Sequence, residues 1–376
     1  MFKESGKGPA LLRLHNEKRL LAALRQVRET TRQDLAEALA LSKNTVSLIV
    51  DELIARGWVS ERGALAGRSA GRPKIRIALE AQVLKSAGIM VERHQLRWMV
   101  CDYFSRPLAQ GQETLETGSP QPVLERLAQL ASQLASDHPG LLGIGFGFPG
   151  IVDPRGGILH LSSHLGWRNV DLLSSLNLSV PVAAMNIVKA AALLSLQHDR
   201  LPADRSRFYL RVGEGVGGAL VNGSDIYTGN SWTAGEAGHL MVEYDGPACR
   251  CGQRGCLEAV ISVPAIEQRL ASLAPGLSWH TRERDPQQVD EVMHQAGTWL
   301  GRALSQIMLL LNPAVIVVDA PWNKSAAFSD AACEAAKAQT LSFTWQNTQL
   351  LFMQQTFDPA QGLALAMIEQ SEQSVL

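Results

Sequence analysis

Nowhere in these 376 residues do roughly eighteen apolar residues run consecutively, the length that a membrane-spanning helix requires. The N-terminus, Met1-Phe2-Lys3-Glu4-Ser5-Gly6-Lys7-Gly8, carries no apolar core of a secretory signal. These absences predict a cytoplasmic protein with no membrane partner. Cysteine is scarce as well: of five, Cys101 and Cys333 stand singly in apolar surroundings, which leaves no disulfide framework to read. Net charge is nearly absent at −1, but it is unevenly shared. Residues 1–80 hold 15 Lys and Arg against 9 Asp and Glu, an excess of +6, so the rest of the chain carries −7. A basic end on an otherwise acidic protein is the electrostatic footprint of a polyanion-binding module.

With 46% hydrophobic and 19% charged residues, the chain can bury more than one core, and two or three domains are expected. The remaining thiols, Cys249, Cys251 and Cys256, crowd behind His239. An extended dipeptide would point Cys249 and Cys251 the same way. Gly252 and Gly255 allow the return that brings Cys256 back, and His239 supplies a fourth ligand. Four ligands with no open position read as a closed, structural Zn2+ site spanning 239–256. The competing reading is a disulfide or buried thiols, which would leave one of the three cysteines unpaired.

Glu236, three residues before His239, and Glu258, two after Cys256, exceed what zinc needs. Carboxylates and an imidazole held together suit a polyol whose hydroxyls require paired hydrogen bonds once desolvated. Here the chain resembles the ROK family (repressors, open reading frames, sugar kinases), whose Gly-Glu-x-Gly-His run and Cys-x-Cys-Gly-x-x-Gly-Cys-x-Glu element stand as Gly235-Glu236-Ala237-Gly238-His239 and Cys249 to Glu258. The resemblance implies an actin-like, ribonuclease H-like sugar-kinase fold of two α/β lobes over residues 81–376, with a sugar in the cleft between them. It implies sugar contacts at Asn186, Glu236, His239 and Glu258. Against this, Asn186 alone reads as a satisfied turn residue, and the two glutamates as support for the zinc ligands. Leu165-Gly166-Trp167-Arg168-Asn169 resembles the family's Leu-Pro-Gly-Trp element, although Ser163 replaces an Asn before it.

In the basic N-terminal region, Leu14, Leu20, Leu21, Leu24 and Val27 fall at helical spacing. Thr31 can cap a second helix with Asp34 completing a variant capping box, and Leu35, Ala36 and Leu39 form its inner face. Ser42 caps a third, whose Val46, Ile49, Val50, Leu53 and Ile54 face inward until Gly57. Residues 58–62 and 74–79 read as two strands of a wing. A winged helix-turn-helix over residues 1–80 follows, with Lys43, Asn44, Thr45 and Ser47 presented to a major groove and Gly71-Arg72-Pro73 offering Arg72 to a minor groove. The plainer readings are a solvated helix face and a flexible hinge.

Strands at 88–91, 96–101, 142–148, 182–185, 208–212 and 314–318 alternate with helices at 123–135, 189–198 and 296–310, a mixed α/β pattern. Against the kinases of the family, the first phosphate loop is replaced by Met90-Val91-Glu92-Arg93-His94, and the catalytic Asp by Ile187. Gly213-Glu214-Gly215 places a carboxylate near the γ-phosphate, and Asp319-Ala320 stands for the Gly-Gly beside adenosine. Losing a general base alone costs on the order of 10²- to 10⁴-fold in rate. The expectation is a regulator, a repressor of carbohydrate genes, that senses a sugar without phosphorylating it and binds an inverted-repeat operator as a homodimer or dimer of dimers. Its rivals are a sugar kinase and a repressor that answers to a protein.

Overall fold

The computed structural model describes residues 8–64, 74–174, 176, 178–197, 205–223 and 225–373. Gly71-Arg72-Pro73, and with it the minor-groove reading of Arg72, lies outside the described residues.

The first module is built as its caps and periodicity require. Helix α1 (Pro9–Val27) leads into a short strand β1 (Glu29–Thr31). Thr31 Oγ1 accepts from the Asp34 amide at 3.2 Å and donates to the Asp34 carboxylate at 2.8 Å, a reciprocal cap that starts α2 (Arg32–Leu39). Ala40, in the left-handed region, ends α2, and Ser42 Oγ accepts the Thr45 amide at 3.0 Å to start α3 (Lys43–Ala55). Strands β2 (Val59–Ala64) and β3 (Ile75–Leu79) pair antiparallel, and β1 adds to the free edge of β3. Three residues are too few to show a period, so β1 is visible only through its pairing.

This module is not an island. Its buried Leu20, Leu24, Val46, Ile49 and Ile77 share one apolar cluster with Leu84 and Tyr103 of the first lobe and Ile368 near the C-terminus.

The first lobe contains β4 (Lys85–Glu92), β5 (Gln95–Asp102), β6 (Pro107–Thr114), α4 (Pro120–Asp137) and β7 (Leu141–Phe148). A three-stranded flap of β8 (Ile151–Asp153), β9 (Ile158–Ser162) and β10 (Trp167–Asp171) follows, then β11 (Val182–Asn186) and α5 (Ile187–Ser195). The sheet order is β11-β7-β4-β5-β6, antiparallel on the β5 and β6 side and parallel on the β7 and β11 side.

The second lobe repeats that plan. It comprises β12 (Arg207–Val212), β13 (Val216–Asn222), β14 (Asp225–Tyr227), α6 (Leu257–Ile261), α7 (Val263–Leu273) and α8 (Pro286–Leu311), then β15 (Val315–Asp319), α9 (Ala326–Gln339), α10 (Ser342–Gln346) and β16 (Gln349–Phe352). Its sheet, read as β16-β15-β12-β13-β14, has the same directions position for position. Two expected helix bounds need correction. The helix expected over 296–310 starts at Pro286, because the Asp285 carboxylate caps it, and the one expected over 189–198 is α5, started at Ile187 by the Asn186 side chain.

The last helix, α11 (Pro359–Gln373), crosses back onto the first lobe. At its end Glu372 receives both Nε and Nη2 of Arg25 at 2.7 Å and the Tyr103 hydroxyl at 2.9 Å. These side chains are nearly buried, 13% and 8% exposed for Arg25 and Glu372, so removing one charge strands the other. Glu372→Gln is expected to cost about 3 kcal/mol, the range for breaking a buried pair. Hydrogen exchange should show α1 losing amide protection while β12 and β15 keep theirs. Unchanged protection of α1 would mean that apolar contacts alone hold the first module.

Candidate functional site

The two lobes face each other across a cleft lined by Pro149, Gly150, His164 and Asn186 on one side and by Gly213 to Gly218, Glu236, His239 and Glu258 on the other. All four residues expected to contact a sugar therefore line one cavity.

Each is held differently. Asn186 caps α5: its Oδ1 accepts the amides of Val188 at 2.7 Å and Lys189 at 3.1 Å, and its Nδ2 donates to the Gly150 carbonyl at 2.7 Å. One N–H remains for a ligand, so Asn186 is at once a turn residue and a wall of the cleft. Glu258 Oε2 accepts the Val216 amide at 2.9 Å and lies 3.4 Å from His164 Nε2. Burial pushes its pKa up, but the hydrogen bonds from His164 and Val216 outweigh it and hold the carboxyl below its usual range. Glu236 goes the other way, because burial raises it more than His239 and Lys189 lower it.

Glu236 can face the cleft only because Gly235 turns with a φ of 95°, where a Cβ would stand 2.3 Å from the Gly218 carbonyl oxygen.

His239 sits between two functions. Its Nδ1 lies 3.8 Å from Cys249 Sγ and its Nε2 lies 3.9 Å from Glu236. The ligand atoms of His239, Cys249, Cys251 and Cys256 all fall within 4.8 Å of one another. Cys251 and Cys256 sulfurs are 3.7 Å apart, too far for a disulfide bond near 2.05 Å but close to the edge of a tetrahedron with metal–sulfur bonds of about 2.3 Å. All five cysteines are free. Burial pushes the Cys256 thiol up to about 12, so a bound cation is what would draw off its proton. The extended Cys249–Cys251 dipeptide expected from spacing is not formed. The Gly252 amide instead donates to the Cys249 carbonyl at 3.0 Å, because thiols converging on one point need a turn between them. The return at Gly255 leaves no room for a side chain, a Cβ there lying 1.7 Å from the Glu243 oxygen.

At the other end of the cleft, Glu92 and Arg93 protrude from the β4–β5 turn, while Met90 is fully buried. Ile187 opens α5 and lines the wall. Asp319 is buried and accepts from the Tyr209 hydroxyl, from Arg211 Nη1 at 2.9 Å and from the Phe357 amide at 3.1 Å. Arg211, which sequence reading passed over, also donates to the Phe357 carbonyl at 2.8 Å.

Lys189 was missed too. It lies three residues after Asn186 on the apolar helix α5, and its Nζ donates to the Trp232 carbonyl at 2.7 Å. Burial lowers its pKa despite Glu236 nearby. A lysine interrupting an otherwise apolar helix was the available signal.

On the first module, Lys43 and Asn44 are exposed at the start of α3. Thr45 and Ser47 are half-buried, and the Thr45 hydroxyl is engaged by Ser42 at 2.8 Å. Leu48, one turn beyond Asn44 and 54% exposed, adds an apolar contact of the kind that fits a thymine methyl.

A ROK family profile matches residues 79–367, and a winged helix-turn-helix DNA-binding profile matches residues 13–60. The chain belongs to the ROK family. It is 27% identical over 319 residues to the xylose repressor of Bacillus subtilis (strain 168), covering 81% of both chains. To the DNA-binding transcriptional dual regulator NagC of Escherichia coli (strain K12) it is 27% identical over 315 residues, 77% of this chain and 76% of that one. In fold it is similar to a ROK family transcriptional regulator, a homologue of the E. coli Mlc protein, with a TM-score of 0.79 at 20% identity over 96% of this chain and 98% of that one. A ROK glucokinase from Streptomyces griseus, solved with glucose and AMPPNP, aligns with a TM-score of 0.65 at 19% identity over 74% of this chain and 98% of that one. Among the described residues no helix is long and apolar enough to cross a membrane.

Because Gly235 both turns and abuts Gly218, Gly235→Ala in this ROK protein should lower stability by about 2 kcal/mol or more, as for a side chain forced into a left-handed, filled position. Thermal unfolding with the cysteines' metal content measured in parallel checks this. A variant as stable as the parent would show that the Glu236 turn has freedom the packing denies.

Proposed function

We infer that the protein is a DNA-binding transcriptional repressor of carbohydrate-utilisation genes in the cytoplasm, in which a non-catalytic ROK cleft senses a sugar. One observation carries this reading: a winged helix-turn-helix and a ROK cleft share one chain, and the cleft's hydroxyl-binding side is furnished while its phosphate side is not. Asn186, Glu236, His239 and Glu258 face a common cavity. Ile187 stands where the kinases of the family carry their base, and it cannot take a proton. Glu92 and Glu214 line the end where phosphates would lie, and Asp319 with Arg211 fills the adenosine side with an internal ion pair. Opposed like charges in a partly dry cleft disfavour ATP by a few kcal/mol at an effective dielectric near 20.

His239, Cys249, Cys251 and Cys256 fit a structural zinc ion, which would fix the His239 ring through Nδ1 and leave Nε2 to the cleft. The metal supplies rigidity there and no chemistry. Lys43, Asn44, Thr45, Ser47 and, beyond the described residues, Arg72 supply the DNA contacts. A homodimer would place two α3 helices on an inverted repeat.

Calorimetry with D-xylose, D-glucose and N-acetylglucosamine, with and without ATP, read beside binding to DNA fragments selected from a random pool, tests the reading. A sugar should bind, alter DNA affinity and leave ATP unconsumed. Turnover of ATP with any of them would make the protein a kinase instead. Lys43→Ala should weaken all DNA sites alike and reduce the salt slope by about one, whereas Asn44→Ala should relax preference at one base pair by about 1–3 kcal/mol. Identical footprints for both would place recognition on another element. Cys256→Ser should release the metal and unfold the second lobe at a lower temperature; full stability without metal would remove zinc from the account.

A further inference from the structure

We propose that His164 sets ligand selectivity in this cleft and that Arg250, from the turn between Cys249 and Cys251, positions it. The proposal rests on the reading of the cleft as a sugar site and goes on to name the class of ligand it admits.

His164 lies in the turn between β9 and β10 of the first lobe, yet its partners belong to the second. Its Nδ1 is 3.0 Å from Arg250 Nη1, and its Nε2 is 3.4 Å from Glu258 Oε2. The side chain is 14% exposed. A guanidinium has donors and no acceptor, so Nδ1 must accept. The neutral ring then carries its proton on Nε2 and offers it to Glu258. Arg250 therefore selects the tautomer, and the cysteine-rich turn that holds Arg250 is linked through one imidazole to the opposite wall of the cleft.

Two consequences follow for a ligand. Glu258 Oε2 is already engaged by the Val216 amide and by His164, which leaves Oε1 to accept from a hydroxyl. The ring also stands against the loop at 213–215, since a Cβ on Gly215 would lie 2.5 Å from His164 Nε2 and 2.7 Å from Glu258 Oε2. It thus stands at the loop that would receive a phosphate. The charges of the lining agree: Glu92, Glu214, Glu236 and Glu258 face Arg93 and Arg211, and Arg211 is neutralised by Asp319. A neutral polyol fits this cleft and a phosphorylated sugar does not.

The test uses the full-length protein as purified, with D-xylose, D-glucose, N-acetylglucosamine and glucose 6-phosphate as calorimetric probes. The parent should bind at least one neutral sugar and reject glucose 6-phosphate. His164→Ala should weaken that neutral sugar roughly tenfold, the usual effect of one lost hydrogen bond to a charged group, and should narrow the gap between it and glucose 6-phosphate. His164→Asn, which keeps a donor, should recover part of the loss. Arg250→Ala should leave metal content unchanged while shifting the His164 ring nitrogens away from the Nε2–H pattern in long-range nitrogen–proton spectra, a signature that loss of packing alone would not produce. If the parent binds a neutral sugar and both His164 variants bind it with the same affinity and the same preference, His164 has no selective role. If Arg250→Ala leaves the ring signature and the affinity untouched, Arg250 does not position it. If the parent binds none of the sugars, the sugar reading falls and this proposal falls with it.

Discussion

Contact between backbones at helix α11 is the constraint on which the rest of this molecule depends. A Cβ at Gly362 would stand 2.0 Å from the Ala190 carbonyl oxygen on α5, and one at Gly88 on β4 would stand 2.0 Å from the carbonyl of Ala360. Nothing larger than hydrogen fits at either point, so α11, α5 and the first sheet behave as one rigid body. That body carries Asn186 at the N-terminus of α5 and Glu372 at the far end of α11. The cleft and the DNA-binding module are thus attached to the same block, one through a helix cap and the other through the ion pair with Arg25.

The second lobe reaches this block through apolar packing on α5, where Ala191 and Ala192 share a cluster with Tyr209, Ala219, Val221, Val315 and Val317, and through polar links. Lys189 donates to the Trp232 carbonyl, His160 stacks on the Trp232 ring with centroids 5.0 Å apart, and His164 meets Glu258 and Arg250. Trp232 has a φ of 60°, a left-handed conformation that costs a bulky residue energy unless its surroundings hold it. Apolar packing at α5 and directional contacts at Lys189, His160 and His164 both join the lobes. The directional contacts can give way at modest cost while the α5 packing and the lobes stay intact, which is what a ligand needs in order to bias one arrangement against another.

The metal-ligand cluster belongs to this arrangement as well. The turn at Arg250 meets His164 on the opposite wall of the cleft, and His239 lines the same cavity from the second lobe.

Much was legible in order along the chain. The caps at Thr31 and Ser42, the apolar faces of α2 and α3, the Leu20, Leu21 and Leu24 part of α1 (Leu14 and Val27 are exposed), and the Gly235–His239 and Cys249–Glu258 runs each announce themselves within a few residues, because caps, helix periodicity and residue spacing are local physics. What lies far apart was not. Arg25 and Glu372 are separated by 347 positions and Arg97 and Asp358 by 261, and neither pair leaves a trace in the sequence around either partner. The same holds for His164, an unremarked histidine before Leu-Gly-Trp until the fold brings Glu258 and Arg250 to its two nitrogens. Local sequence determined the elements, the gathering of His239 with three cysteines and the family of the cleft. The tertiary structure alone decided which charges meet, which side chains face the two nitrogens of the His164 ring, and that the DNA-binding module shares a core with the first lobe, because those depend on the burial and pairing of residues the chain brings together only when folded.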